Sequence, residues 1–291
     1  MLPKFLCVGA QKSGTTSLHD ILIQHPNLFL PEQKETKFFV RDEFYNLGIG
    51  YYEKQFFRKA KTGQLAGEID PDYMYFHYAP QRISHCLGNK IKLIFILRNP
   101  VDRAYSHYWM SVRRGYEKLS FGDAVLKEPE RLAVGSIFNK LHFSYLDRGR
   151  YCGQIENFLR YFPKENMKFI IFEDFVKNIE TTVCSIFDFL GVRRDMELNF
   201  TVRSNPHSIP RFVMWRDFVY KPNALKKAGR FLLPFRGVRS SIISAIDKLN
   251  QKPVQVPLCP EDLRGDLLKE HFVAEIEKLE LLLGTDLLLW R

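Results

Sequence analysis

The sequence predicts an α/β fold of three layers, in which a central parallel sheet lies between two layers of helices. Three observations predict it. Continuous apolar runs at Phe5–Val8, Ile91–Leu97 and Met167–Phe172 have the length and composition of strands buried on both faces. Amphipathic segments of helical length follow these runs, so the chain alternates strand and helix, as parallel strands with right-handed crossovers require. A loop with the spacing Gly9-x-x-x-x-Gly14 joins the first strand to the first helix, which is a P-loop-type arrangement.

Taken in order, Phe5–Val8 is the first strand, and residues 15–25 form a helix that stops before Pro26. Gln64–Ile69 is a short second strand, followed by a helix near Pro80–Cys86. The Ile91–Leu97 strand leads into a helix from Val101 to Arg114, with Pro100 at its start, where a missing N–H is harmless. Residues 120–133 and 151–162 read as helices, Met167–Phe172 as a buried strand, and 178–190 as a helix closed by Gly191. The pattern loosens from Asn199 to Val256, and residues 260–283 read as one long amphipathic helix. The expected organisation is a single domain over 1–291. Its core spans about residues 4–195, and a basic, helical extension over about 196–291 packs on it.

Composition narrows the function. At 45% hydrophobic and 26% charged residues the chain is globular, and its formal net charge of +10 asks for an anionic partner. A polyphosphorylated nucleotide, an acidic glycan or an anionic membrane surface would serve. Nucleic acid is not expected, because no helix-turn-helix, zinc-finger or RNP-type pattern is present. The five cysteines are scattered without metal-ligand spacing, as in a reducing compartment, and Cys7 and Cys184 sit in apolar runs where burial is expected. No signal peptide and no membrane-length apolar run is found. The basic stretch 221–248, interleaved with Phe231, Leu232, Leu233 and Phe235, reads as a packed amphipathic segment. Its alternatives are an acceptor-cleft wall and a peripheral membrane contact.

Two motifs carry the chemistry. In the first loop, consecutive N–H groups and a helix start can cradle a phosphate, with Ser13, Gly14, Thr15 and Thr16 supplying donors. Thr15 stands where a nucleotide triphosphatase loop has its lysine, and Lys12 lies three residues earlier. In the second motif, Arg98-Asn99-Pro100 ends the Ile91–Leu97 strand, where a magnesium-dependent enzyme would place an aspartate. A fixed guanidinium there suits a second phosphate without a metal. Both motifs fall at the carboxyl edge of the sheet, where such folds bind ligands.

These residues resemble those of the sulfotransferases that use 3′-phosphoadenosine 5′-phosphosulfate (PAPS), most closely the heparan sulfate type and its bacterial relatives. The resemblance rests on Gln11 to Leu18 and on Arg98-Asn99-Pro100 with Ser106. Lys34-Glu35-Thr36-Lys37-Phe38-Phe39, Gly48-Ile49-Gly50-Tyr51-Tyr52, and Tyr151 with Asn157 to Pro163 add to it. It runs from residue 5 to about 190 and weakly beyond. It implies that Ser13 to Thr16 bind the 5′-phosphosulfate and that Lys12 meets charge building on the departing nucleotide. Arg98 and Ser106 would bind the 3′-phosphate, and Glu35 would take the proton of the acceptor hydroxyl. Glu32 is the rival carboxylate in the same loop.

Lys34 and Lys37 are read either as neutralising sulfuryl oxygens or an acidic acceptor, or as solvated charges. Arg103 pairs on a helix surface with Asp102 or Glu117, or meets ligand. His107 reads as structural, and Tyr151 as packing or a family position. The sequence departs from the family at Glu68-Ile69-Asp70-Pro71-Asp72-Tyr73, which lacks the usual lysine. Asp70 and Asp72 there are strand-end turn residues or face a less acidic acceptor. Arg203 and Arg211 occupy the stretch of the family's later cofactor loop.

The resemblance thus implies transfer of a sulfuryl group to a hydroxyl, less readily an amine, of a carbohydrate, glycolipid or other acceptor, with no metal. A P-loop kinase and a non-catalytic glycan-binding protein are the alternatives. A bacterial-type cytoplasmic enzyme is expected, or a Golgi enzyme whose anchor has been removed.

Overall fold

The computed structural model describes residues 1–201, 208–210, 212–220, 249, 251–253 and 257–291. The expectations for Arg203, Arg211 and the basic stretch 221–248 lie outside these residues. The chain divides into two compact units. One comprises Met1–Ala104, Leu146–Ser204 and Glu261–Arg291, the other Tyr105–Tyr145 and Asn205–Pro260.

The first unit is built on strands β1 (Phe5–Gly9), β2 (Leu28–Phe29), β3 (Leu65–Ile69), β4 (Lys92–Leu97) and β5 (Met167–Ile171). They form one sheet in the order β2-β3-β1-β4-β5, and every pairing is parallel. Helices flank it, the α/β architecture that the alternating sequence predicts. β1 is buried along its whole length, so its sequence is apolar without alternation. Its side chains still point to opposite faces in turn. Phe5 and Cys7, with Ile94 and Ile96, pack on one side against Leu18, Ile21 and Leu22 of the Thr15–Leu22 helix. Val183, Ile186 and Phe187 of the Ile179–Leu190 helix complete that cluster. On the other face Phe95 meets Phe158 of the Tyr151–Leu159 helix edge-on, with ring centroids 5.2 Å apart. Each such buried apolar side chain contributes roughly 1.5–3 kcal/mol. Gly67 of β3 leaves room for the ring of Phe5, its partner on β1: a Cβ there would come within 2.1 Å of that ring.

Several boundaries differ from the sequence reading for identifiable reasons. The first helix ends at Leu22, and the chain then tightens into three-residue turns at Gln24 and His25. Residues 120–133 form two helices, Phe121–Leu126 and Glu128–Ala133, because Pro129 starts a new first turn. The long C-terminal helix is likewise two, Glu261–His271 and Val273–Leu283, separated at the buried Phe272. β2 was not expected, being only two residues long. None of the five cysteines forms a disulfide, and Cys184 is half-buried rather than buried.

The second unit contains the C-terminal part of the Pro100–Arg113 helix and the short helices Phe121–Leu126, Glu128–Ala133 and Ile137–His142. Ser120 and Ser136 cap the first and last of these by accepting the N–H of Asp123 and Asn139. Glu117 is buried there because its carboxylate is fully satisfied: Arg131, Tyr145 and the N–H groups of Lys118 and Leu119 all donate to it. Ser208–Pro210 and Gln251–Pro253 pair antiparallel in this unit. Among the described residues, no helix is long and apolar enough to cross a membrane.

Candidate active site

Beyond the carboxyl end of β1 the chain turns through residues 10–14 into the Thr15–Leu22 helix. Gly14 holds φ at 79°, and a Cβ there would also press on the Phe172 ring at 3.0 Å, so only glycine fits. No side chain caps this helix start. Its first N–H groups therefore have no partner within the helix, and the positive end of the helix dipole favours an anion. Ser13 is fully buried, yet its Oγ has no hydrogen-bond partner; Gln11 Oε1 is in the same state. A buried polar atom left this way costs about 1–3 kcal/mol unless a water or a ligand meets it. The Ser13 N–H differs from expectation: it turns inward to the Ala10 carbonyl at 3.3 Å.

Arg98, at the tip of β4, reaches this loop. Its Nη1 donates to the Lys12 carbonyl at 3.0 Å, and its guanidinium lies 4.8 Å from the Phe172 ring centroid. Tyr151 donates its hydroxyl to the Arg98 carbonyl at 2.9 Å, which gives that motif residue a positioning contact. Asn99 is tied by its N–H to Glu173 at 3.1 Å and by Nδ2 to the Trp290 carbonyl at 2.8 Å. Trp290 Nε1 donates to Glu173 at 2.9 Å. The chain's last aromatic residue thus fastens the strand tip that carries Arg98, a role no local sequence signal marks.

The second part of the site is the loop 34–39. Lys34 Nζ lies 3.2 Å from Thr16 Oγ1, 3.5 Å from Thr15 Oγ1 and 2.9 Å from Glu35 Oε1. Lys37 Nζ donates to Glu35 Oε2 at 3.0 Å, to Asp70 Oδ1 at 2.8 Å, and to Asp72. The carboxylate oxygens of Glu35, Asp70 and Asp72 lie within 4.8 Å of one another, and the Lys37 ammonium bonds to all three. Arg148 Nη1 closes the cluster on Asp72 Oδ1 at 2.6 Å. Asp70 and Asp72 are strand-end turn residues, the Asp72 N–H donating to Asp70 Oδ1 at 3.2 Å, and they are buried ion-pair members as well. Lys37 is no solvated charge.

Beneath this cluster Glu68 accepts the Thr36 N–H at 3.0 Å and the hydroxyls of Tyr73 and Tyr52. Phe38 stacks on Tyr52 at 4.5 Å, and Phe39 meets Tyr73 edge-on at 5.3 Å. Phe38, Phe39, Tyr52, Glu68 and Tyr73 thus share one task, holding the Glu35 loop. Among the described residues, Lys12, Glu35 and Lys37 are the non-glycine residues with positive φ, at 73°, 63° and 59°. Such conformations cost about 1–3 kcal/mol each and persist only where the surroundings enforce them.

Electrostatics separate the three carboxylates. Burial works against the charge on Glu35, but Lys37 and Lys34 outweigh it and hold the carboxyl well below the usual range. Asp72 is also held low, against burial, by Lys37 and Arg148. Asp70 moves the other way: burial, reinforced by Asp72 and Glu35, pushes it up to about 7 despite Lys37. Exposure separates them too. The Glu35 side chain is 36% exposed, while those of Asp70 and Asp72 are at 0% and 2%. Glu35 is the member of the trio that an incoming molecule can touch.

The remaining expected residues fall elsewhere. Glu32 is a surface carboxylate paired with Lys59 at 2.6 Å. Arg103 is fully buried rather than on a helix surface; Asp102 pairs instead with Arg264, and Glu117 with Arg131. Ser106 is buried on the Pro100–Arg113 helix and belongs to the second unit. His107 is structural, its Nε2 3.1 Å from the Leu141 carbonyl.

Known proteins share this framework. The crystal structure of a sulfotransferase from Alicyclobacillus acidocaldarius covers 100% of this chain and 99% of its own, with a TM-score of 0.71 and 27% identity. Heparan sulfate glucosamine 3-O-sulfotransferase 6 of Mus musculus is 31% identical over 192 residues, covering 66% of this chain and 53% of that protein. The human bifunctional heparan sulfate N-deacetylase/N-sulfotransferase 3 is 34% identical over 202 residues, 66% of this chain but 22% of its own. The chain thus spans about half the length of the first of these curated relatives and a fifth of the second. Residues 2–204, which carry the anion loop, Glu35 and Arg98, match the family described as the sulfotransferase domain, and the chain belongs to that family.

Proposed function

We propose that this chain transfers a sulfuryl group from PAPS to a hydroxyl of a carbohydrate-containing acceptor. The observation that carries this reading is the contact of Lys34 with both the uncapped loop helix and Glu35, the reachable carboxylate of the Lys37 cluster. The loop suits a phosphosulfate: Ser13 Oγ lacks a partner, and the helix start, with no side-chain cap, offers N–H donors. In this reading Ser13, Gly14, Thr15 and Thr16 hold the 5′-phosphosulfate, and Arg98 binds the 3′-phosphate. Ser106 joins Arg98 on the strength of the sequence motif alone.

The donor supplies an activated sulfuryl group and departs as the 3′,5′-bisphosphate. Lys12 neutralises the charge that grows on the departing nucleotide, and Glu35 accepts the proton that the acceptor hydroxyl releases. A positioned carboxylate in that role is worth about 10²–10⁴-fold. Fixed cations and N–H donors aimed at developing charge supply the remainder. The reading assigns no divalent ion, since the carboxylate cluster already surrounds the Lys37 ammonium.

A glycan acceptor follows from the named relatives, and an acidic one suits a net charge of +10. The test is transfer of labelled sulfate from PAPS to a panel of heparan-type and neutral oligosaccharides, with and without excess chelator. Transfer that persists with chelator supports the reading. Transfer from no donor to any acceptor, or transfer abolished by chelation, contradicts it.

A further inference from the structure

Two lysines touch Glu35, and their surroundings differ. Lys37 is shared among three carboxylates, two of them inaccessible to solvent. Lys34 has Glu35 as its carboxylate partner, and its other contacts are the neutral hydroxyls of Thr16 and Thr15 at 3.2 and 3.5 Å. Thr15 takes the position that a nucleotide triphosphatase loop gives to lysine. Lys34 brings an ammonium to that same hydroxyl from a different loop. An anion entering the cradle would compete with Glu35 for this ammonium. It would not compete for Lys37, which Asp70 and Asp72 retain from the end of β3.

Resting on the donor-site reading above, we propose that Lys34 is a positioning residue that couples donor binding to the base. An anion in the loop draws its ammonium away from Glu35, so the carboxylate becomes the stronger proton acceptor only once the donor is in place. The groups facing Glu35 are Lys34 and Lys37 from its own loop, with Asp70 and Asp72 beyond Lys37. Loss of Lys34 leaves one ammonium on Glu35 where there were two. Lys37 continues to orient it.

Coupling of this kind is reciprocal: if the donor weakens the Lys34–Glu35 pair, the pair must weaken donor binding. The test is a double-mutant cycle on the affinity for adenosine 3′,5′-bisphosphate, measured by calorimetry and needing no acceptor. Glu35→Gln frees Lys34 and is expected to bind the nucleotide at least about fivefold tighter than the natural protein. Placed on Lys34→Met, the same change is expected to give no gain.

Removing a negative charge near a polyanion helps binding generally, so equal gains in both backgrounds overturn the coupling while leaving the donor site intact. Unchanged affinity in Glu35→Gln overturns it too. Failure of the natural protein to bind the bisphosphate overturns the donor-site reading and this inference with it. Thermal melts check that each variant is folded, and Lys34→Gln repeats the cycle should Lys34→Met melt early.

Discussion

The anion loop and the Lys37 cluster are both polar, partly buried and at the same edge of the sheet, yet they are finished differently. In the loop, Ser13 Oγ and Gln11 Oε1 are buried without partners, and the helix start has no cap. In the cluster, Lys37 bonds to Glu35, Asp70 and Asp72, Asp72 also to Arg148, and Asp70 also to the Lys37 N–H at 2.8 Å. Polarity left open can take a water or a ligand, whereas polarity already closed is scaffold. Glu35 stands at the junction, held by the cluster and still exposed.

This contrast is broken most sharply at Glu35 itself. Glu35→Gln should lower turnover by about 10²–10⁴-fold, without loss of bisphosphate affinity, when transfer from labelled donor is followed at saturating acceptor. Turnover near that of the natural protein would remove Glu35 from the chemistry. On the closed side, Asp72→Ala removes the buried carboxylate shared by Arg148, which is nearly fully buried, and Lys37, which is one-fifth exposed. Chemical denaturation should show a loss of about 3–5 kcal/mol, the cost of breaking a buried pair. A loss below 1 kcal/mol would mean the cluster is not scaffold.

On the open side the expectation reverses. Ser13→Ala removes an unsatisfied hydroxyl, so stability should stay within about 0.5 kcal/mol while bisphosphate affinity falls about fivefold, the worth of one hydrogen bond. If stability falls and affinity does not, the loop belongs with the scaffold. The smallest effect concerns pH. Burial raises Asp70 above its unfolded value to about 7. Its contribution to stability is therefore complete below about pH 4 and is lost as the pH rises through about 7. Asp70→Asn has no proton to lose, and should flatten the fall in melting temperature between about pH 4 and pH 7. An unchanged slope would assign it to other groups.

The open region was legible in the sequence and the closed one was not. The loop announces itself because its residues are contiguous and its chemistry is local: Gly9, Gly14, two threonines, then a helix. β1 and β4 were equally plain, since strands buried on both faces read as apolar runs, and β5, an edge strand only partly buried, is still mostly apolar. The cluster gathers Lys37 and Arg148 from more than a hundred residues apart onto the end of β3, and no local pattern encodes that. Asp70 and Asp72 are turn residues, and nothing local marks them as ion-pair members as well. The absent lysine after Glu68 was a usable signal: an acidic pair where a cation is usual calls for a cation from elsewhere, and Lys37 is that cation. Trp290 gave no such hint, because its partners Asn99 and Glu173 are distant along the chain.

The central claim is that Arg98 and the open loop together grip a nucleotide phosphorylated at both ends. Its most direct test is calorimetric titration of the natural protein and Arg98→Ala with adenosine 3′,5′-bisphosphate and with 5′-AMP. The account predicts that the natural protein prefers the bisphosphate by at least about tenfold and that Arg98→Ala loses most of that preference, as a charge-assisted contact would. Equal affinity for the two nucleotides in the natural protein, or a preference that survives the substitution, would contradict it.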